Sequence, residues 1–336
     1  MILDTNFLLT IGIPIYNGEE FLKETLNSIV FQVEKVSGLV EILVVDNAST
    51  DSTSDIILEY QKKYSSIRYI RNPVNLGFDR NYDKTIIESK GKYVWTFCAD
   101  DIVVAGSIRK ILTILEKYSD LSAVFVNYSV WDGKIQQCKD VRARKIFGDR
   151  LCQSPEDFYH IVQNGACVAS SNIYNRELWL GVKKEAEFYQ RWVQVEVLAR
   201  LLIQNPQKSS YCIAEPLFIL RQGQPEWERG GGLLLLTLNL LPIFQSFKAM
   251  GYPEEIERLL VGFIEDSFWA MIFSSKVNGL KVNIVLLRRI YVLTNKFKYF
   301  WILFFMLLCP SLFYMLVFRL ARLIKCRILP LIDLFS

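Results

Sequence analysis

The chain has 336 residues, 51% hydrophobic and 22% charged, enough to bury a large core in one domain or in a domain with an extension. Its formal net charge of +4 is too mild to point to nucleic acid. A single histidine, His160, excludes His-rich metal sites, and seven scattered cysteines without a CxxC pair favour reduced thiols in a cytoplasm over a disulfide framework.

The opening stretch MILDTNFLLTIGIP lacks the basic start and long apolar core of a signal peptide. Short apolar runs then alternate with amphipathic stretches. Residues 7–13, 40–46, 67–71, 93–99 and 121–127 read as strands, while 19–34, 52–64, 78–90 and 105–118 carry helical spacing. Phe21, Leu22, Leu26, Ile29 and Val30 make one face of the first helix. This alternation predicts an α/β fold, a doubly wound and mainly parallel sheet covered on both sides. Ligands of such sheets bind beyond the carboxyl ends of the strands. Tyr16-Asn17, Asp46-Asn47, Arg71-Asn72 and Asp100-Asp101 fall at predicted strand ends and together outline a site.

In IPIYNGEE (13–20), Pro14 stiffens the exit from the first strand, Tyr16 offers a face for a base, and Asn17-Gly18 suits a turn in any protein. In VVDNASTDST (44–53), Ser49, Thr50 or Asp51 caps the next helix, which leaves Asp46 free to accept a hydrogen from a pyrimidine base. In RNPVNLGFDRNYD (71–83), Arg71 and Arg80 offer planar donor forks to phosphate, and Gly77 permits close backbone approach; a solvated surface turn is the plainer alternative. The sharpest feature is Asp100-Asp101, placed directly after the buried run YVWTFCA. Adjacent like charges need a balancing partner. A hard divalent cation, Mg2+ or Mn2+, takes carboxylate oxygen and substrate phosphate together; the alternative is an N-cap and first-turn acid for the following helix.

IPIYNGEEFLKETLNSI, VEILVVDNASTDST, RNPVNLGFDRN and GKYVWTFCADD resemble the successive blocks of a GT-A glycosyltransferase of the family 2 type. Within that family they look most like bacterial O-antigen sugar transferases of the abequosyltransferase kind. The resemblance covers about residues 8–127, extends to about 222 and is absent beyond. It implies a nucleotide-diphosphate sugar donor, with Asp46 and Arg71 near the base, Asp100 near the ribose or sugar, and Asp101 as ligand of Mg2+ or Mn2+. It also suggests a deoxy- or dideoxyhexose as the sugar, and surface-polysaccharide synthesis as the setting.

Inverting members of the family carry a Glu-Asp pair at the start of a helix, and its Asp is the catalytic base. Here WVQVEVLARLL (192–202), registered on Arg200, puts Val193-Gln194 at that pair. Gln194 is an amide and cannot act as a base. Glu196 lies about 200° further round the helix. Either Glu196 or Glu187 serves, the register differs, or the enzyme retains configuration and needs no such base. Arg221 falls where the family often has an arginine near the diphosphate, and Trp227 with the glycines after it fits either a lid or a linker.

Three regions are expected: a nucleotide-sugar-binding half at 1–127, an acceptor-binding half with lid loop at 128–232, and a helical extension at 233–336. Residues 299–318 are twenty uncharged residues interrupted by Pro310 and Ser311, with basic residues on both flanks. That pattern suits a monotopic or re-entrant anchor on anionic lipid at the cytoplasmic face of the inner membrane, with a buried core helix as the alternative. The resemblance links such an anchor to a polyprenyl-diphosphate-linked oligosaccharide acceptor. A sugar-1-phosphate nucleotidyltransferase would need a glycine-rich loop where PIYNGEE has one glycine. A signalling receiver does not account for the tail. A non-catalytic membrane-associated nucleotide- or glycan-binding protein, its base position degenerate at Gln194, is the remaining alternative.

Overall fold

The structure, a computed structural model, describes residues 7–36, 38–131, 146–183, 192–221 and 232–310. The chain divides into two compact units, 1–222 with 246–257, and 223–245 with 258–336.

The first unit is built on one sheet. Its parallel part comprises β1 (Leu9–Ile15), β2 (Val40–Asp46), β3 (Ile67–Arg71) and β4 (Tyr93–Thr96), in spatial order β3-β2-β1-β4. β1, β2 and β4 are buried almost throughout, so they read as continuous apolar runs with no polar alternation. Helices α1 (Leu22–Val33), α2 (Thr53–Lys63) and α3 (Phe78–Glu88) connect them. Helix α1 buries Leu22, Leu26, Ile29, Val30 and Val33, the apolar face expected from its spacing. The strands and crossover helices lie within a few residues of their sequence-predicted positions.

Beyond β4 the sheet changes direction. After a two-residue strand β5 (Ile102–Val103) and helix α4 (Ser107–Lys117), the chain forms β6 (Ala123–Trp131), β7 (Arg150–Cys152), helices α5 (Pro155–Val162) and α6 (Arg176–Val182) around β8 (Asn172–Asn175), α7 (Val193–Gln204) and β9 (Ser210–Arg221). β8 runs antiparallel to both β4 and β6, β9 runs parallel to β6, and β5 and β7 pair antiparallel with β9. Because β6 passes through residue 127, segments 1–127 and 128–232 complete a single sheet. Trp95, Phe97 and Phe218 pack edge-to-face under its centre, with ring centroids 4.9 to 6.4 Å apart.

Pro14 marks where the sheet opens. β4 pairs with β1 from Leu9 to Gly12 and ends that ladder with Phe97 N donating to Gly12 O at 2.8 Å. Two residues later Pro14 has no N–H to offer on the side β4 has left, so the missing donor costs nothing.

In the second unit, helices Gly232–Gln245, Ile284–Thr294 and Phe300–Leu308 accompany most of the helix Glu254–Val277. Asn283 caps one of them, its Oδ1 accepting from Leu286 N at 2.9 Å. Helix Phe300–Leu308 buries Phe300, Leu303 and Leu307 and exposes Trp301, Ile302 and Phe305. It ends before Pro310, with Cys309 extended as a residue preceding proline prefers. Among the described residues no helix is long and apolar enough to cross a membrane; of the segment 299–318, residues 311–318 lie outside the described residues.

Candidate functional site

The carboxyl end of β4 closes as a turn from Cys98 to Asp101, with Asp101 N donating to Cys98 O at 3.3 Å. Distant side chains hold it. Thr25 Oγ1 on α1 lies 2.8 Å from Ala99 O and 2.9 Å from Asp101 O, one proton shared between two acceptors. Ser170 Oγ accepts from Cys98 N at 2.9 Å and donates to Asp101 Oδ2 at 2.6 Å. The other carboxylate oxygen of Asp101 accepts from Arg221 N at 3.1 Å. Asp101 is fully buried. Burial pushes its carboxyl well above the usual carboxylate range and the neighbouring Asp100 adds to the shift, against the opposing Ser170 and Arg221 donors. Burial also raises Asp100, and the Arg221 charge opposes it.

Such a pair resists ionisation unless a cation meets it. Cys98 Sγ and carboxylate oxygens of Asp100 and Asp101 lie within 4.8 Å of one another. Two carboxylates raised by burial, on a turn fixed at both ends, are a donor set that fits Mg2+ or Mn2+.

Arg221 ends β9 against this turn. Its guanidinium carbon lies 4.6 Å from the Phe21 ring centroid and 4.5 Å from that of Trp131. Nε donates to Asp100 O at 3.0 Å, and Nη2 pairs with Glu24 at 2.5 Å. The cation is thus stacked on two rings and fixed in direction.

Two strands away, Asp46 ends β2 with no exposed surface. Its Oδ1 accepts from Ser49 N at 2.8 Å, while Oδ2 accepts from Tyr69 Oη at 2.8 Å and faces Arg71 Nη1 at 3.2 Å. Arg71 also donates to Ser49 O at 2.7 Å and remains 44% exposed. Both oxygens of Asp46, the residue expected near the base, are thus engaged within the protein, and Arg71 is the accessible partner of the pair. Nearby, Asn17 N donates to Ser49 Oγ at 2.9 Å and Asn17 Oδ1 accepts from Thr50 N at 2.8 Å, which locks the β1 and β2 loops together. Asn17 has φ 51°, a left-handed conformation that Asn tolerates, and Tyr16 stands 49% exposed beside it. The Ser49-Thr50-Asp51 run makes these loop contacts, and Thr53 N donates to Asp51 Oδ1 at 3.1 Å.

The RNPVNLGFDRN block is an asparagine network. Asn72 Nδ2 donates to Asn47 Oδ1 at 3.0 Å and to Asn81 Oδ1 at 2.8 Å; Asn47 Nδ2 donates to Asn75 Oδ1 at 2.8 Å; Asn81 Nδ2 donates to Val45 O at 3.0 Å. Gly77 turns into α3 at φ 81°, where a side chain would be strained. Arg80, one turn into α3, is exposed and has no ion-pair partner among the described residues.

Helix α7 docks onto the same helix, Val193 N donating to Asp79 Oδ1 at 3.2 Å. Gln194 is 2% exposed; its Nε2 donates to Cys167 O at 3.2 Å and its Oε1 has no hydrogen-bond partner among the described residues. Glu196 is 1% exposed and its Oε1 accepts from both Nε and Nη2 of Arg200, at 3.0 and 2.9 Å. Its carboxylate forms an internal ion pair with Arg200 and is enclosed in the protein. Glu187 and Trp227 lie outside the described residues. Sequence reasoning missed Ser170, Thr25, Tyr69 and the Asn72–Asn81 contacts; the repeated asparagines of the block were the one signal available.

Residues 10–175 match the family model of glycosyl transferase family 2. The chain is 29% identical to the abequosyltransferase RfbV of Salmonella typhimurium over 250 residues, 70% of this chain and 72% of that protein. An uncharacterized glycosyltransferase of Haemophilus influenzae is 29% identical over 204 residues, 58% of this chain and 62% of the relative. Among solved structures, S. aureus TarS 1–349 in complex with UDP-GlcNAc superposes with a TM-score of 0.61 at 15% identity, covering 94% of this chain and 91% of that one. The Pyrobaculum calidifontis mannosyltransferase PcManGT in complex with GDP-Man and Mn2+ superposes at 0.51, with 14% identity and coverage of 93% and 86%.

Proposed function

We propose that this chain, whose residues 10–175 match the model of glycosyl transferase family 2 on a GT-A fold, is a glycosyltransferase that moves a sugar from a nucleotide-diphosphate donor to a lipid-linked oligosaccharide in surface-polysaccharide synthesis. The observation that carries the reading is the clamped Cys98–Asp101 turn, where the part-exposed Asp100 and the buried Asp101 lie beside a stacked arginine at the carboxyl end of a parallel sheet. The likeness to RfbV supports an O-antigen setting and a deoxy- or dideoxyhexose donor.

In this reading Asp101, with Asp100, holds Mg2+ or Mn2+. When bound there, a divalent cation supplies positive charge to the leaving diphosphate. Arg221 meets the same charge from a fixed direction, so little reorganisation is needed as the glycosidic bond breaks. Arg71, anchored by Asp46, and the exposed Arg80 approach the nucleotide from β3 and α3. Tyr16 presents its ring to the base. Work by the chain at the cytoplasmic face of the inner membrane, as a peripheral or monotopic protein, fits a lipid-linked acceptor; the exposed Trp301, Ile302 and Phe305 support membrane-surface contact.

The test supplies donor sugars labelled in the sugar together with a polyprenyl-diphosphate oligosaccharide and Mn2+. Label in the lipid phase, lost in Asp101→Asn, is the expected result. Gln194 at the family's base position favours one second reading, a non-catalytic nucleotide- or glycan-binding protein. Donor that binds but is neither transferred nor hydrolysed would support that reading over the first.

A further inference from the structure

The turn that ends β4 presents three donor side chains, and the third is a thiol. Asp101 N closes the turn onto Cys98 O, and Ser170 Oγ bonds to the first and last residues of the turn at 2.9 and 2.6 Å. With Thr25 gripping Ala99 O and Asp101 O from α1, the turn has little freedom to redirect its side chains. Cys98 is part-exposed, unlike the fully enclosed Phe97 before it, and its Sγ lies within 4.8 Å of the Asp100 and Asp101 oxygens. A cysteine that only filled core volume would have no need to face two carboxylates.

We propose that Cys98 Sγ is a ligand of the divalent cation at Asp100–Asp101 and sets its metal preference. This rests on the metal reading given above. Mg2+ takes oxygen ligands and sheds water reluctantly, so a sulfur in its shell is a poor exchange. Softer and later first-row ions accept sulfur, with Co2+ and Zn2+ ahead of Mn2+. The donor set therefore disfavours Mg2+ and makes Mn2+ the better of the two ions expected from the sequence. As the sulfur–metal bond forms, the thiol proton passes to solvent and no electrons change hands.

Titration of the full-length protein with Co2+ alone tests this through absorption. Visible ligand-field bands report that the ion is bound, and a near-ultraviolet thiolate-to-cobalt charge-transfer band reports that sulfur is bound to it. Both are expected in the parent protein. Cys98→Ser should keep the visible bands and lose the ultraviolet one, and Cys98→Asp should lower the Mn2+-over-Mg2+ affinity ratio by roughly tenfold, the small end of what a change around a bound metal produces. Visible bands without the ultraviolet band in the parent protein, or an ultraviolet band that survives Cys98→Ser, would overturn the role of Cys98 and leave the metal site standing. Absence of both bands would overturn the metal reading and this inference with it.

Discussion

Ser170 donates to Asp101 at 2.6 Å and thereby ties a residue of the second half of the sheet to the carboxylate that ends β4. The same hydroxyl accepts from Cys98 N, so one side chain sets both ends of the turn. Ser170→Ala should leave a fully buried carboxyl oxygen without this donor, at a cost of about 1–3 kcal/mol, and free the part-buried Cys98 N–H as well. Denaturant midpoints measure the loss, and sugar transfer should fall with it. A variant as stable and active as the parent would show that the turn does not need this clamp.

The raised carboxyls make a prediction about pH. Between the ordinary carboxylate value of about 4 and the raised value of Asp101, the folded chain binds more protons than the unfolded chain. Unfolding free energy then falls as pH rises through that window. Metal-free protein should therefore have a Tm that declines from about pH 4 upward, more steeply than that of Asp101→Asn. Mn2+ at neutral pH should restore stability to the parent and not to the variant. Parallel Tm profiles for the two proteins would contradict the assignment.

Asn72 joins Asn47 to Asn81 in the network that shapes the loop before α3. Asn72→Ala should remove both bonds and destabilise the protein by about 1–3 kcal/mol, since the buried Asn81 Oδ1 loses its donor while Asn47 Oδ1 keeps Leu76 N. Thermal unfolding reads the loss, and donor KM should rise more than kcat falls. An unchanged KM in a folded variant would place this loop away from the donor.

The parallel half of the fold was legible in the sequence because its strands are buried on both faces and its helices carry one apolar stripe each. The strand-end positions were legible for the same reason, since polar residues after an unbroken apolar run have few structural explanations. The rest depended on contacts between distant residues. Ser170 sits in a short 3-10 segment with no periodic pattern, yet it reaches Asp101 across the sheet. Asp46 read as an open acceptor because its partners Tyr69 and Arg71 lie on another strand, where pairing register, invisible in a lone sequence, brings them alongside. Glu196 read as a spare carboxylate because helical spacing shows the angle of a side chain and not that Arg200 has claimed it.

Arg221 is positioned by stacking as much as by charge. Arg221→Lys keeps the charge and loses the planar contacts with Phe21 and Trp131, worth about 0.5–2 kcal/mol. A drop of roughly tenfold in kcat/KM is expected, with Arg221→Ala falling further. Full activity in the lysine variant would mean that position along the fork is immaterial.

The proposed role of Asp101 is to hold a nucleotide-sugar donor through a metal. Calorimetry with UDP-, GDP-, CDP- and dTDP-sugars, each with and without Mn2+ and repeated on Asp101→Ala, tests it directly. Tight binding of one nucleotide class that requires Mn2+ and disappears in the variant is the expected result. Binding of none of the four by folded protein, or binding indifferent to both Mn2+ and Asp101, would contradict it.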